Sequence, residues 1–248
     1  MAQRQSRLVQ RRSEAGPAEP RPSARKAASR HSQRAQRDRG AETRADLIEA
    51  ALDVFGRLGF EGASTRAIAK AANANLAAIV YHFGGKEPLY VAVAEHVADS
   101  IFGRMRATLS AAANRTAIAS PEAARAALDT VVGTFIDVIL GSADADRWAR
   151  FLIREQMQPT AAFDVVYRFM NGAAETVSRL VATALGTAES DEIKLRAMTL
   201  MGQVLVFRVA QQLVLKRMGW RSIGDRQRRE IKGVVKANLA AILERSRP

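Results

Sequence analysis

From Thr43 onward, apolar positions recur at three- and four-residue spacing, with Leu47, Ile48, Ala51, Leu52, Phe55 and Leu58 on one helical face. Thr43 followed three residues later by Asp46 has the form of a capping box, and Gly59 stands where a helix would end in left-handed conformation. A first helix is therefore predicted over 43–58. Ser64 precedes a short alanine-rich stretch, 65–72, whose Ile68, Ala69 and Ala72 share a side, and Asn73-Ala74-Asn75 breaks that run. A third short helix follows over 76–83 and ends at Gly84-Gly85. Beyond residue 86 the helical stretches lengthen, to about 88–113, 121–141, 145–156, 160–185, 190–218 and 225–245, with Gly141, Gly186, Gly219 and Gly224 at their breaks. Alanine, leucine and charged residues dominate past residue 42. The expected fold class is all-α: a compact three-helix unit, then a larger helical body.

Composition changes this picture mainly at the amino terminus. The formal charge of +13 implies attraction to a polyanion, either nucleic acid or an anionic membrane surface. Residues 1–40 carry eleven Lys/Arg against three Asp/Glu, which places +8 of that charge there and leaves +5 for the rest. This segment is rich in Arg, Gln, Ser and Pro and lacks an apolar period, so it is expected to be disordered. It reads either as a solvated linker or as an arm that contacts DNA. Cysteine is absent, which excludes disulfides, thiol nucleophiles and thiolate metal sites. No run of about 18 uncharged apolar residues exists to suggest a membrane span. A cytoplasmic protein without membrane association is expected.

Two short helices joined by a three- or four-residue turn describe a helix-turn-helix. Ala69 is small where the helices would cross, Asn73 sits at the turn, and Ile79 falls where it would pack the second helix back. The exposed face of that helix would then offer Asn75, Leu76, Ala77, Ala78 and Tyr81 to a major groove. Thr65 and Arg66 near the start of the preceding helix, Tyr81 and His82 at the end of this one, and Lys86 opening the next are suited to phosphates. His82 reads equally well as a satisfied, partly buried histidine.

The run Thr65-Arg66-Ala67-Ile68-Ala69, the turn, and then Ile79-Val80-Tyr81-His82-Phe83-Gly84-Gly85-Lys86-Glu87-Pro88-Leu89-Tyr90 resembles the DNA-binding domain of the TetR/AcrR regulators. The resemblance covers about 43–90. It implies an all-helical homodimer whose third helix enters the major groove and whose carboxy-terminal body binds an inducer. It also makes Thr65, Tyr81 and Lys86 phosphate contacts and Asn75 to Ala78 the base-facing set. A narrower resemblance, on 73–90 and on Arg154 to Phe163, is to the CecR-like branch, some of whose members respond to antibiotics. Two departures stand out: Asn73 occupies a turn position where the family often has Gly, and the basic tail is longer than most members need.

The implied organisation is a basic tail at 1–40, a DNA-binding domain at 41–88, and an effector-binding and dimerisation domain at 89–248. Aromatic and polar residues suited to line an effector pocket are Trp148, Phe151, Arg154, Met157, Phe163, Tyr167, Gln203 and Phe207, all of which serve equally well as core. Arg154, if unpaired, would invite an anionic or carbonyl-bearing ligand, though Glu155 beside it could neutralise it. Leu195, Met198, Met201, Leu205, Val209 and Leu213 form a stripe suited to a dimer interface on the last two helices. No nucleophile elbow, phosphate-binding loop or dinucleotide fingerprint is present, and His31, His82 and His96 lack metal-binding spacing. The expected function is therefore a ligand-released repressor of a palindromic operator, without catalysis, cofactor or metal. The alternative is a non-specific nucleic-acid binder driven by the tail.

Overall fold

The computed structural model describes the backbone of residues 22–244 and side chains from Asp38 to Glu244. The ten α-helices among the described residues are α1 (Pro22–Gly62), α2 (Thr65–Ala71), α3 (Leu76–Phe83), α4 (Lys86–Ala112), α5 (Pro121–Gly141), α6 (Ala145–Met157), α7 (Phe163–Leu185), α8 (Asp191–Val209), α9 (Gln211–Met218) and α10 (Asp225–Glu244). One 3₁₀ turn, Arg115–Ile118, precedes α5, and the described residues contain no strand. The chain divides into two compact units, Met1–Ala45 and Asp46–Pro248.

Two sequence expectations are corrected. The first helix does not start at Thr43 but at Pro22, so 22–40 is helical rather than disordered; the expectation for 1–21 lies outside the described residues. Residues 23–39 contain no Gly or Pro and are mostly Ala, Arg, Gln, Lys and Ser, a composition that sustains a helix without an apolar face. Accordingly Thr43 caps nothing: its hydroxyl donates to the Arg39 carbonyl one turn back, at 2.9 Å. The regular path of α1 breaks at Gly59, whose φ of 75° only glycine adopts without strain. The second correction falls at Ala210, where the predicted helix 190–218 divides into α8 and α9, bent by 75°.

Local chemistry explains the other termini. Ser64, Ser120 and Ser190 each accept a hydrogen bond from the amide three residues on, at 3.1, 3.1 and 3.3 Å. Pro121 takes the first position of α5, where its missing N–H costs nothing. Between α2 and α3 the turn is carried by Asn73 at φ 50°, the one non-glycine with positive φ among the described residues. Replacing Asn73 with Gly is expected to leave stability within a few tenths of a kcal/mol or raise it. Asn73→Val is expected to cost about 1–2 kcal/mol, as read by urea unfolding.

Within the second unit, Leu47, Ala51, Leu52 and Phe55 of α1 pack with Ile68, Ala69 and Ile79 into a core continuous with Leu89, Val93 and Val97 of α4. Helices α4, α5, α7, α8 and α10 enclose the rest. Helix α6 buries Trp148, Phe151 and Glu155 on one face. The Phe151 ring meets Tyr90 at 5.0 Å, and Tyr90 meets Phe55 edge-on at 4.7 Å.

Candidate nucleic-acid interface

Helix α2, the Asn73 turn and α3 form the geometry the spacing implies. Ala69 is buried at the crossing, and Ile79 is fully buried, which fixes the face that α3 turns inward. What remains outward is Leu76, Ala77, Val80 and Tyr81, of which Val80 and Tyr81 are 64% and 85% exposed. A surface helix that leaves apolar and aromatic groups in water at these positions offers contacts for thymine methyl groups and phosphates in a groove. Val80 was not singled out from the sequence, although it lies one turn beyond Leu76 and so on the same face.

Asn75 is exposed, but its side-chain oxygen accepts from the Ala77 amide at 3.0 Å and so caps α3. Only its amide hydrogens remain to reach a base edge. Ala78 is partly buried and packs against the core. The five residues expected on the groove face therefore differ: Leu76, Ala77 and Tyr81 project, Asn75 projects while capping, and Ala78 turns partly inward.

The groups around this face cluster at helix starts. Thr65 opens α2 and Lys86 opens α4, whose amino terminus has no side-chain cap and so presents free amides to an anion. The Lys86 ammonium lies over the Phe60 ring, 4.5 Å from its centroid, and donates to the Glu61 carbonyl at 3.5 Å. Arg66 is exposed, and His82 is half-buried with its ring edge against Tyr81 at 4.9 Å. Replacement of Lys86 by Ala is expected to weaken binding to every duplex alike and to lower the salt slope by about 1, measured by fluorescence anisotropy.

The eight expected effector residues are not gathered into one cavity. Trp148 and Phe151 are core, with the Arg104 guanidinium 4.9 Å from the Trp148 ring centroid. Arg154 is paired: its guanidinium donates to the carbonyls of Gly56 at 2.8 Å and Arg57 at 2.5 Å, in the turn before the Gly59 break in α1. Met157 and Tyr167 are exposed, and Phe163 stacks on Tyr167 at 6.3 Å. Gln203 accepts from the Asn238 amide of α10 at 2.9 Å. Phe207 lies elsewhere, in an apolar groove of about 480 Å³ with Leu213, Trp220, Ile231 and Val234.

The sequence reading missed what α6 does. Arg147 donates to the Glu49 carboxylate and to Asp53, both at 2.7 Å, and to the Glu49 carbonyl at 2.8 Å. Glu155 is fully buried, accepting from the Tyr90 hydroxyl at 2.7 Å and from the Thr160 amide at 2.7 Å. Burial, and after it the bond to Glu155, push the Tyr90 phenol well above its ordinary value, so it stays a donor. One helix thus holds α1 at two places and the first turns of α4 at a third.

This arrangement defines the class as a helix-turn-helix protein with an all-helical body. The family profile of bacterial regulatory proteins of the tetR family matches residues 47–93, and that of the carboxy-terminal domain of the HTH-type transcriptional dual regulator CecR matches 124–245. The CecR regulator of Shigella flexneri is 33% identical over 211 residues, spanning 83% of this chain and 93% of that protein. The repressor NicS of Pseudomonas putida is 38% identical over 82 residues, 33% of this chain and 36% of its own. Among solved structures, a TetR-family regulator from Mesorhizobium loti aligns with a TM-score of 0.56 at 17% identity, over 83% of this chain and 97% of its own. AibR, solved with isovaleryl coenzyme A and operator DNA, aligns at 0.57 and 17% identity, over 78% of this chain and 96% of its own. Likeness at such identity is one of fold. The chain belongs to the TetR family of transcriptional regulators and, within it, to the CecR group. It is a DNA-binding transcriptional regulator, not the non-specific binder weighed as the alternative.

Proposed function

We propose that this regulator is a cytoplasmic homodimeric repressor that holds a palindromic operator and releases it when a small molecule binds the helical body. The division of labour is 41–88 for DNA and 89–248 for effector and dimer, with no catalytic role. The observation that carries the reading is the outward face of α3, where Leu76, Ala77, Val80 and Tyr81 stand between the phosphate-suited starts of α2 and α4. Thr65, Arg66, His82 and Lys86 position the backbone, and Asn75 adds a donor to the base edges.

Dimerisation is supported by a second face. Leu195, Met198, Leu205, Val209 and Leu213 run along α8 and α9 in solvent, with Met198 65% and Leu213 70% exposed, and Met201 is half-buried beside them. A row of this kind is costly on a monomer and self-complementary about a two-fold axis. Two α3 helices so related would read half-sites one helical turn or a multiple apart.

The effector acts from the body on the DNA-binding helices. The supported route for its message is α6, which carries Trp148, Phe151 and Arg154 and also grips α1 through Arg147 and Arg154. A ligand that shifts α6 would move α1, and with it the helix-turn-helix packed on α1.

Selection of bound fragments from a random duplex pool tests this function. It is expected to return a two-fold-symmetric sequence, and with Asn75→Ser, which keeps the cap, a sequence altered at one or two base pairs per half-site. A pool without enrichment would refute operator recognition, and identical enrichment with Asn75→Ser would remove Asn75 from base reading.

A further inference from the structure

We propose that the amino-terminal part of α1 is a phosphate-binding arm, in which Lys26, Arg30, Arg34 and Arg37 lie at positions on one helical face that engages the backbone of duplex DNA. The proposal rests on DNA binding by the helix-turn-helix but is independent of how α3 reads bases. The helix extends back to Pro22, and its non-helical point is Gly59, far beyond this stretch. Steps of four, four and three residues keep these positions within an arc of about 80°. They span about 16 Å along the axis at 1.5 Å per residue.

The composition of the segment selects its partner. Residues 23–39 hold six Lys/Arg against one acidic residue, Asp38, and no apolar side chain larger than alanine. Such a helix has nothing to bury in a protein groove. Opposite the basic stripe fall positions 28, 32, 35 and 39, which are Ala, Ser, Ala and Arg. A helix that lies in a membrane interface needs Leu, Phe or Trp on that side. Duplex DNA needs none, and it presents a charge every ~1.7 Å of axis, so a stripe of this length faces several phosphates. The length of the basic tail, which the helix-turn-helix does not explain, thereby acquires a role.

The test uses the full chain with Lys26→Gln, Arg30→Gln, Arg34→Gln and Arg37→Gln together, changes that remove charge and keep helix propensity. Binding to a selected operator and to a scrambled duplex is followed from about 50 to 300 mM salt. The expected result is a salt slope flattened by up to about 3–4 for each arm engaged, and an affinity loss for both duplexes of up to about 10²–10³-fold at the low-salt end that shrinks toward 300 mM. Their affinity ratio should be unchanged. A control with Arg4, Arg7, Arg11 and Arg12→Gln removes the same charge amino-terminal to Pro22 and is expected to lose less. An unchanged slope in the first variant, or an equal loss in the control, overturns the arm. So does a loss confined to phosphatidylserine vesicles with DNA binding intact. A parent chain that fails to distinguish the two duplexes would instead overturn the operator reading, while its salt slope still reports on the arm.

Discussion

A chain carrying Met198→Glu and Leu205→Glu is expected to run as a monomer at micromolar concentration and to lose operator affinity by about 10²–10⁴-fold. The two residues are seven positions apart on α8, hence on one face, and both are exposed. Carboxylates there can reach solvent within a single chain, so folding should be spared; across a two-fold axis they would meet each other and the opposing apolar row. The loss follows from linkage: once one half-site is held, the second α3 acts at a high effective concentration, and separating the protomers removes that gain. Light scattering and circular dichroism read the assembly and the fold separately. A folded dimer with parental affinity would place the interface elsewhere.

Glu155→Ala is expected to destabilise the protein by about 3–5 kcal/mol, because it strips the acceptor from one buried and two part-buried donors at once. These are the Tyr90 hydroxyl and the amide and hydroxyl of Thr160. The cavity left beside Phe151 adds to the cost. Glu155→Gln keeps one acceptor oxygen and much of the volume, and should lie between the two. For a chain of this size the alanine change corresponds to a fall in Tm of roughly 10 °C, with the smaller fall for glutamine. Equal melting of the parent and both variants would mean that the buried carboxylate contributes nothing to holding α6 against α4.

The helix-turn-helix was legible in the sequence because its signals are local. Ser64, Asn75, Gly84 and the spacing from Ala69 to Ile79 each specify a cap, a turn or a close approach within a few residues. Glu155, expected from the sequence only as a neutraliser of Arg154, instead shares the buried face of α6 with Trp148 and Phe151, at helical spacing from both. Its partner Tyr90 was not readable, since 65 residues separate them. The same holds for Arg154, whose acceptors lie 97 and 98 residues away at the end of α1. Those carbonyls are available because Gly59 interrupts the helix, and no periodicity announces which distant side chain meets them. The extension of α1 escaped for a different reason: hydrophobic period finds amphipathic helices, and 23–39 has no apolar face to find. The separate placement of Phe207, Gln203 and Trp148 likewise follows from packing among α5 to α10, which residue type alone does not fix.

Sequence-specific DNA binding is tested most directly by the ratio of affinities for a selected duplex and for a scrambled duplex of the same length and composition, measured by anisotropy at about 0.15 M salt. At that salt the non-specific pull of a basic chain is partly screened, whereas direct contacts from α3 to base edges persist. A ratio of about 10³ or more in favour of the selected duplex is the result expected of an α3 that enters the major groove. Equal affinity for the two duplexes would contradict it.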